Sequence, residues 1–403
     1  MKPELSFPEF NREWDYNLFS EIVTNKSKRF DPKNEESLKD IELDSIEQNT
    51  GRLLNTYMSK DFTSQKNKFD KGSVLYSKLR PYLNKYYYAK IDGVCSSEIW
   101  VLNSLYSQKL SNLFLYYFIQ TNRFSNVANK SAGSKMPRAD WSLVENIRLY
   151  KGSIEEQRKI GDFFSKLDRQ IELEEQKLEK LEEQKKGYMQ QIFSQELRFK
   201  DENGNEYPKW EEGTIKSLVH GNISDGNWIE KEHISKTGKY RIIQTGNIGI
   251  GKYLNKENNS KFINQKDYDE LKANEIYSGD ILISRLAAPA GRSMIMPDIN
   301  WRMVTSVDVA IIRPNKLFDP YFLMSMLNTD KKLYDISKFV SGSSHKRISR
   351  KNLEKIKLIS PEIREQQKIG DFFRKIDELI EKQNQKIDGL KERKKGFLQK
   401  MFV

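Results

Sequence analysis

Apolar residues recur at Ile160, Phe164, Leu167, Ile171, Leu178, Leu181, Tyr188 and Ile192, spaced alternately by four and three positions and interrupted at Glu174 and Lys185. The same series returns near the C-terminus at Ile369, Phe373, Ile376, Ile380, Ile387, Leu390, Phe397 and Met401, interrupted at Gln383 and Lys394. This is a heptad seam, and it predicts two helices of about 40 residues, each roughly 60 Å long. The competing reading is two amphipathic helices packed on separate domain cores. A stripe this narrow and this long suits helix pairing better. Ser153 with Glu156 predicts a capping box at the first start, and Ser360–Pro361 an N-cap followed by proline at the first helical position. Elsewhere the period changes. GSVLYSKL, EIWVL, YRIIQ, DILISRL and DVAIIR are short β-rich runs bounded by Gly or acidic residues, and read as strands. LSNLFLYYFIQTNRF and DPYFLMSMLNTDKKLYDISKF carry apolar residues at helical spacing. The fold class expected is α+β.

The two helical segments are copies of one another. EQRKIGDFFSKLDRQIELEEQKLEKLEEQKKGYMQQIF (156–193) and EQQKIGDFFRKIDELIEKQNQKIDGLKERKKGFLQKMF (365–402) align at a constant offset of 209, with 21 of 38 positions identical. The repeat extends upstream, where SAGSKMPR (131–138) faces SGSSHKR (341–347), pairing Gly133 with Gly342 and Arg138 with Arg347. Weaker echoes pair GSVLYSKLR with GDILISRL, LFLYYFIQTN with YFLMSMLNT, and the openings of the two halves. The expected order is a globular domain over 1–152, a helix over 153–196, a second globular domain over 197–359 and a second helix over 360–403.

Charge changes the picture next. The chain of 403 residues carries 69 Lys and Arg against 57 Asp and Glu, a formal net charge of +12. The helices are close to neutral, so the excess lies on the globular halves and implies a polyanionic partner there. One cysteine, Cys95, excludes a disulfide framework or a cysteine zinc site, and the three scattered histidines argue against a histidine metal cluster. No run approaches 18 apolar residues and the N-terminus lacks a signal-peptide core, so a cytoplasmic protein without a membrane segment is expected.

Basic residues interleave with aromatic and small polar ones at matching places in the two halves. YSKLRPYLNKYYYAK offers Lys78, Arg80 and Lys85 among Tyr76, Tyr82, Tyr86, Tyr87 and Tyr88, and the second half has Arg285, Arg292 and Arg302 in the comparable stretch. The Gly-Ser-basic loops add Lys135, Arg138, Ser343, Ser344, His345, Lys346, Arg347 and Arg350. Such residues neutralise phosphates, position a duplex and read guanine edges. Catalytic near-matches fail. Gly246 to Lys252 follows the P-loop string until Tyr253 stands where Ser or Thr must hold magnesium. Acids at Asp298 and Asp330 with Lys331 make a poor nuclease pattern in so charged a chain, and the Asn/Asp-Pro-Pro-aromatic loop that grips an extruded adenine is missing. No catalytic residue and no metal ligand is expected.

Tandem globular units, each closed by an EQ-x-KIGDFF heptad helix, resemble the specificity subunit of type I restriction–modification enzymes over essentially the whole chain. The resemblance is strong in the helices and weak inside the globular halves. It implies two target-recognition domains, helices that pair antiparallel, and a non-catalytic reader of a bipartite, asymmetric double-stranded DNA target. It also implies two modification (methyltransferase) subunits and restriction subunits as partners. S-adenosylmethionine, ATP and magnesium would then serve those partners, with no cofactor on this chain. Two other classes remain: a nuclease or methyltransferase with attached reading domains, and a coiled-coil scaffold whose basic domains bind an acidic protein. For an antiparallel pair, the register that aligns every seam layer sets Ile171 against Leu390, Leu181 against Ile380 and Leu178 against Gln383. A slide of one heptad would pair Glu174 with Lys394 but strand Ile160 and Ile369, and apolar burial outweighs an exposed ion pair. The helices would then act as a strut that sets half-site spacing.

Overall fold

The computed structural model describes residues 1–130, 135–342 and 345–402. The chain forms two compact units, Met1–Gln176 with Gln385–Val403, and Lys177–Asn384. Both dividing lines fall inside the long helices, so each unit contains half of each.

Each unit contains its own four-stranded sheet, and the two have the same strand order. In the first, β1 (Val23–Thr24), β2 (Val74–Ser77), β3 (Tyr86–Tyr88) and β4 (Ile99–Ser104) lie in the order β1-β4-β2-β3, antiparallel throughout. In the second, β5 (Ile223–Asp225), β6 (Ile281–Ser284), β7 (Ser293–Ile295) and β8 (Val309–Ile312) repeat it as β5-β8-β6-β7. The central strands are apolar on both faces because other layers cover both. The outer layer is where the units differ, with a five-stranded sheet in the first and a four-stranded one in the second, each holding one parallel pair. A two-stranded ribbon ties the ends of each globular part together, Asp15–Leu18 with Arg148–Lys151 and Glu211–Thr214 with Lys357–Ser360.

Each long apolar stretch after the sheet is two helices rather than one. These are α1 (Asn112–Phe118) and α2 (Asn122–Ala128) in the first unit, and the later pair Pro320–Leu327 and Asp330–Ser337 in the second. Thr121 and Thr329 sit at the breaks, and each hydroxyl donates to the carbonyl three residues back, at 2.7 and 2.8 Å. A side chain that bonds the backbone locally competes with the helix and starts the next one. In chain order α3 is Ile154–Phe193, α4 is Pro320–Leu327, α5 is Asp330–Ser337 and α6 is Ile363–Met401.

The ends of α3 and α6 are fastened by the Glu-Gln pair that opens each copy. Gln157 accepts from the Ser111 backbone and donates to the Lys109 and Gly152 carbonyls, each at 3.0 Å. Gln366 accepts from Asp319 at 3.1 Å and donates to the Pro361 carbonyl at 2.8 Å. Glu365, fully buried, takes Arg198 at 2.6 Å and the Trp210 indole at 3.1 Å. Ser153 caps α3 as expected, bonding the Glu156 amide at 3.2 Å. Ser360 does not cap α6. It ends the ribbon strand opposite Glu211, and the helix begins two residues beyond Pro361.

The helix halves pair antiparallel inside each unit. In the first, Leu167, Ile171 and Leu390 form one cluster with Phe397 against it, and Asp168, Glu174 and Glu175 meet Lys394, Lys386 and Lys391 at 2.7, 2.8 and 2.7 Å. In the second, Lys185 meets Asp377 at 2.6 Å and the Tyr188 ring lies 5.1 Å from that of Phe372. Ile171 therefore lies with Leu390, as the fully overlapped register requires. Three of the four polar interruptions of the seam are also explained, because Glu174, Lys185 and Lys394 each hold an ion pair across it. Towards each helix start the seam merges with a domain core: Ile160 and Phe164 share the large core of the first unit with Leu398, Met401 and Phe402 of α6, and Ile369 and Phe373 share that of the second with Ile192 of α3. Ile387 is buried, whereas Leu178, Leu181 and Ile380 are only half-buried. Helix pairing and packing on a domain core thus divide the stripe between them.

Candidate nucleic-acid interface

In each unit the loop leaving the second sheet strand is stitched to the Gly-Ser-basic loop by the same hydrogen bonds. Leu79 bridges Arg138, with the Arg80 amide bonding the Pro137 carbonyl at 2.8 Å and the Ala139 amide the Lys78 carbonyl at 2.7 Å. Leu286 bridges Arg347, with the Ala287 amide bonding the Lys346 carbonyl and the Ile348 amide the Arg285 carbonyl, both at 3.0 Å. An arginine–acid pair closes both. Arg138 grips Glu98 with two bonds of 2.9 and 3.3 Å, and Arg347 meets Asp308 at 3.2 Å. The acid stands just before the fourth strand in each unit. Four divergent segments have kept one geometry twice.

The expected basic residues separate into two groups. Lys135, Arg80, Arg138, His345, Lys346 and Arg347 are exposed on the stitched loops, and Lys78 is half-buried beside them. Ser343, Ser344 and Gly133 lie outside the described residues. Arg285 and Arg292 are corrections. Arg285 is 7% exposed, donates to the Val307 carbonyl and lies 3.6 Å from Asp225. Arg292 spends its donors on four carbonyls, those of Ile248, Leu286, Pro289 and Thr245, at 2.8 to 3.2 Å, and burial pulls its pKa down. Both guanidinium groups hold loops together rather than facing outward. Arg302 is likewise engaged, gripping Glu275 at 2.7 and 2.6 Å over the Tyr240 ring. The tyrosines interleaved with Lys78 and Arg80 are mostly core: Tyr76, Tyr86 and Tyr87 are buried and only Tyr82 is well exposed. Their raised pKa values follow from burial.

The family described as type I restriction modification DNA specificity domain matches residues 11–183 and 207–392. The chain belongs to this family. Among its relatives, the type I restriction enzyme MjaVIII specificity subunit of Methanocaldococcus jannaschii is 24% identical over 315 residues, covering 76% of this chain and 72% of that one. The EcoDI specificity subunit of Escherichia coli is 28% identical over 156 residues, 38% of this chain and 34% of that one. Two solved structures share the fold. The S subunit of a type I restriction–modification system from M. genitalium has a TM-score of 0.57 at 16% identity, covering 100% and 99% of the two chains. A chain from a study of complex assembly and conformational transition of the type I R-M system has a TM-score of 0.61 at 16% identity, covering 97% and 98%.

For a specificity-domain protein, the residues that the sequence reading passed over are Glu98 and Asp308. A signal was present, since each opens a strand already recognised, in EIWVL and in DVAIIR. Exposed Trp228 and Trp301 in the second unit were also passed over, and no pattern in the chain marks them. One group of ligand-type side chains occurs among the described residues, His233, Asp267 and Glu270, with ligand atoms within 4.8 Å of one another. Two of them already form a hydrogen bond of 2.9 Å, which holds the His233 pKa up. Among the described residues no helix is long and apolar enough to cross a membrane.

Proposed function

We propose that the chain is the non-catalytic DNA-reading subunit of a type I restriction–modification assembly, and that each unit reads one half of a bipartite, asymmetric target. One observation carries this reading: in a chain of the DNA specificity family, the same stitched loop pair, with exposed basic residues, is built twice on sheets of identical strand order. Lys135, Arg80 and Arg138 in the first unit, and His345, Lys346 and Arg347 in the second, face phosphates or base edges in this proposal, with Lys78 beside those of the first unit. Adenine methylation and ATP-dependent cleavage belong to partner subunits, two of them methyltransferases, which bring S-adenosylmethionine, ATP and magnesium. The assembly works in the cytoplasm, where its DNA is. Mapping methylated adenines in DNA from cells that carry the intact assembly tests the proposal directly. A split motif with a fixed spacer is expected, and exchanging residues 1–152 for those of a relative should change one half and leave the other. A motif altered in both halves, or adenine methylation by the isolated chain, would overturn it.

A further inference from the structure

The outer sheets differ by one strand, and the difference turns a tryptophan outward. In the first unit Thr24 lies opposite Asn103. In the second, the Asn222 side chain bonds the Arg313 carbonyl at 2.6 Å, one step before Ile223 meets Ile312. Because Glu98 and Asp308 are equivalent, Asn103 matches Arg313 and Thr24 matches Asn222. Six residues on stand Phe30 and Trp228. Phe30 lies in Arg29–Phe30, the fifth strand of the first sheet, which pairs with Lys66–Asn67 and leaves the ring 1% exposed. Trp228 takes another course and is 65% exposed, the most open of the six tryptophans.

Its backbone is held on both sides. The Asn227 amide bonds the Thr305 carbonyl at 3.0 Å, and its carbonyl accepts the Val307 amide at 2.8 Å. The Asn227 side chain accepts the Asn274 amide at 2.6 Å and donates to the Leu271 carbonyl at 3.2 Å. Ile229 packs on the core formed by Tyr240, Ile263 and Val304. Alternate residues of extended chain face opposite ways, so the ring between these two anchors is turned out. The same anchors tie it to the stitched loop. Val307 precedes Asp308, which meets Arg347, and Asp225 lies 3.6 Å from both Arg285 and exposed Arg350. Trp301 is also exposed, but its ring leans on Phe262 at 5.0 Å. It stands before the strand Arg302–Thr305, roughly 16 Å of extended chain from Ser306, which bridges Asn227. An exposed ring is ordinary by itself. One fixed in the framework of a basic loop is prepared for contact, since little freedom remains to be lost.

Resting on the DNA-reading function proposed above, we infer that Trp228 is a specificity-determining wedge of the second unit. Its indole packs against the bases of that half-site, at a step that it unstacks, beside the contacts of Arg347. Apolar side chains insert between base pairs in this way, and pyrimidine–purine steps yield most readily, so the half-site carries such a step. The matching ring of the first unit, Phe30, is committed to its sheet.

The test uses the assembled complex with a duplex carrying the motif mapped by methylation, and an unrelated duplex beside it. Trp228→Ala should weaken target binding about tenfold, as the loss of one stacked base does. The salt slope should stay the same because no phosphate contact is lost, and the unrelated duplex should be affected much less. Trp228→Phe should retain most of the affinity, and Trp301→Ala all of it. A second readout needs no loss of binding: the emission belonging to Trp228, wild type minus Trp228→Phe, should be quenched by the target duplex. Wild-type affinity in Trp228→Ala, equal losses on both duplexes, a reduced salt slope, or emission unmoved by DNA would each overturn the wedge. If Arg347→Ala still weakens binding in the same assay, the DNA-reading function stands without it. A wild-type complex that does not distinguish the two duplexes would overturn that function, and the wedge with it.

Discussion

Replacing Arg347 by alanine removes two things that the structure keeps apart. Its guanidinium meets Asp308 at 3.2 Å, with side chains 50% and 26% exposed, so the ion pair itself contributes about 0–1 kcal/mol to stability. A contact to phosphate or to a base edge is larger, about 1–3 kcal/mol, or roughly 5- to 150-fold in duplex affinity. Asp308→Asn separates the two contributions, because it weakens the ion pair while leaving the guanidinium in place. The assay is duplex binding by the assembled complex, measured across a salt series with unfolding curves alongside. Arg347→Ala should lower affinity within that range and reduce the salt slope by about 1. Asp308→Asn should keep the slope. Arg138→Ala and Glu98→Gln should repeat the pattern in the first unit, where two bonds hold the arginine. Equal losses in Arg347→Ala and Asp308→Asn with unchanged slopes would mean that the arginine only ties the loops together. Unchanged affinity at physiological salt in both arginine variants would refute the placement of these loops on DNA.

Three other outcomes follow from the frame that carries the loops. Leu390→Ala, at the centre of a seam cluster where Leu390 is 8% exposed, should destabilise the first unit by about 2–5 kcal/mol in denaturant titrations. Gln366→Leu should leave the Asp319 amide and the Pro361 carbonyl unpaired at about 1–3 kcal/mol for each buried group, read as early melting of the second unit. The hydrogen bond that His233 Nδ1 donates to the Asp267 carboxylate raises the His233 pKa above its ordinary 6.5, so its stabilisation is complete below about pH 6.5 and is lost as pH rises through the raised value. His233→Gln should flatten that part of the stability profile, and an unchanged profile would remove His233 from it.

What could be read from the chain depended on whether a period carried it. The helices and their register were legible because 3.5-residue spacing over some 40 residues has few explanations, and a repeat doubles the evidence. Strand positions were legible from short β-rich runs. The break at Thr121 and Thr329 was not, since apolar spacing continues through it and a single hydroxyl decides it. The interface was legible in place and blurred in detail. Arg285 and Arg347 look alike in sequence, yet one lies beside β6 with carbonyls within reach and the other projects from a loop. The tyrosines around Lys78 misled for the same reason: alternate positions of a strand face opposite sides, and here both sides are covered.

The division of labour within the repeat follows from which positions have stayed the same. Gln157 and Gln366 make equivalent bonds, Phe164 and Phe373 fill equivalent cores, and Asp168 and Asp377 meet Lys394 and Lys185. A Cβ at Gly161 or Gly370 would lie 2.9 Å from Leu113 Cγ or 2.0 Å from Asp319 Oδ1, so a larger residue at either place would force that side chain to move. Each unit takes the start of one helix and the end of the other, so a helical residue must suit its own globular part and a partner from the opposite copy. That double requirement resists change, and it accounts for 21 identities in 38 positions without any appeal to DNA. Residues preserved in both units, the Arg138–Glu98 and Arg347–Asp308 pairs included, cannot by themselves distinguish two different half-sites. Discrimination has to come from what the copies do not share, and the largest difference is the outer sheet, five strands in one unit and four in the other.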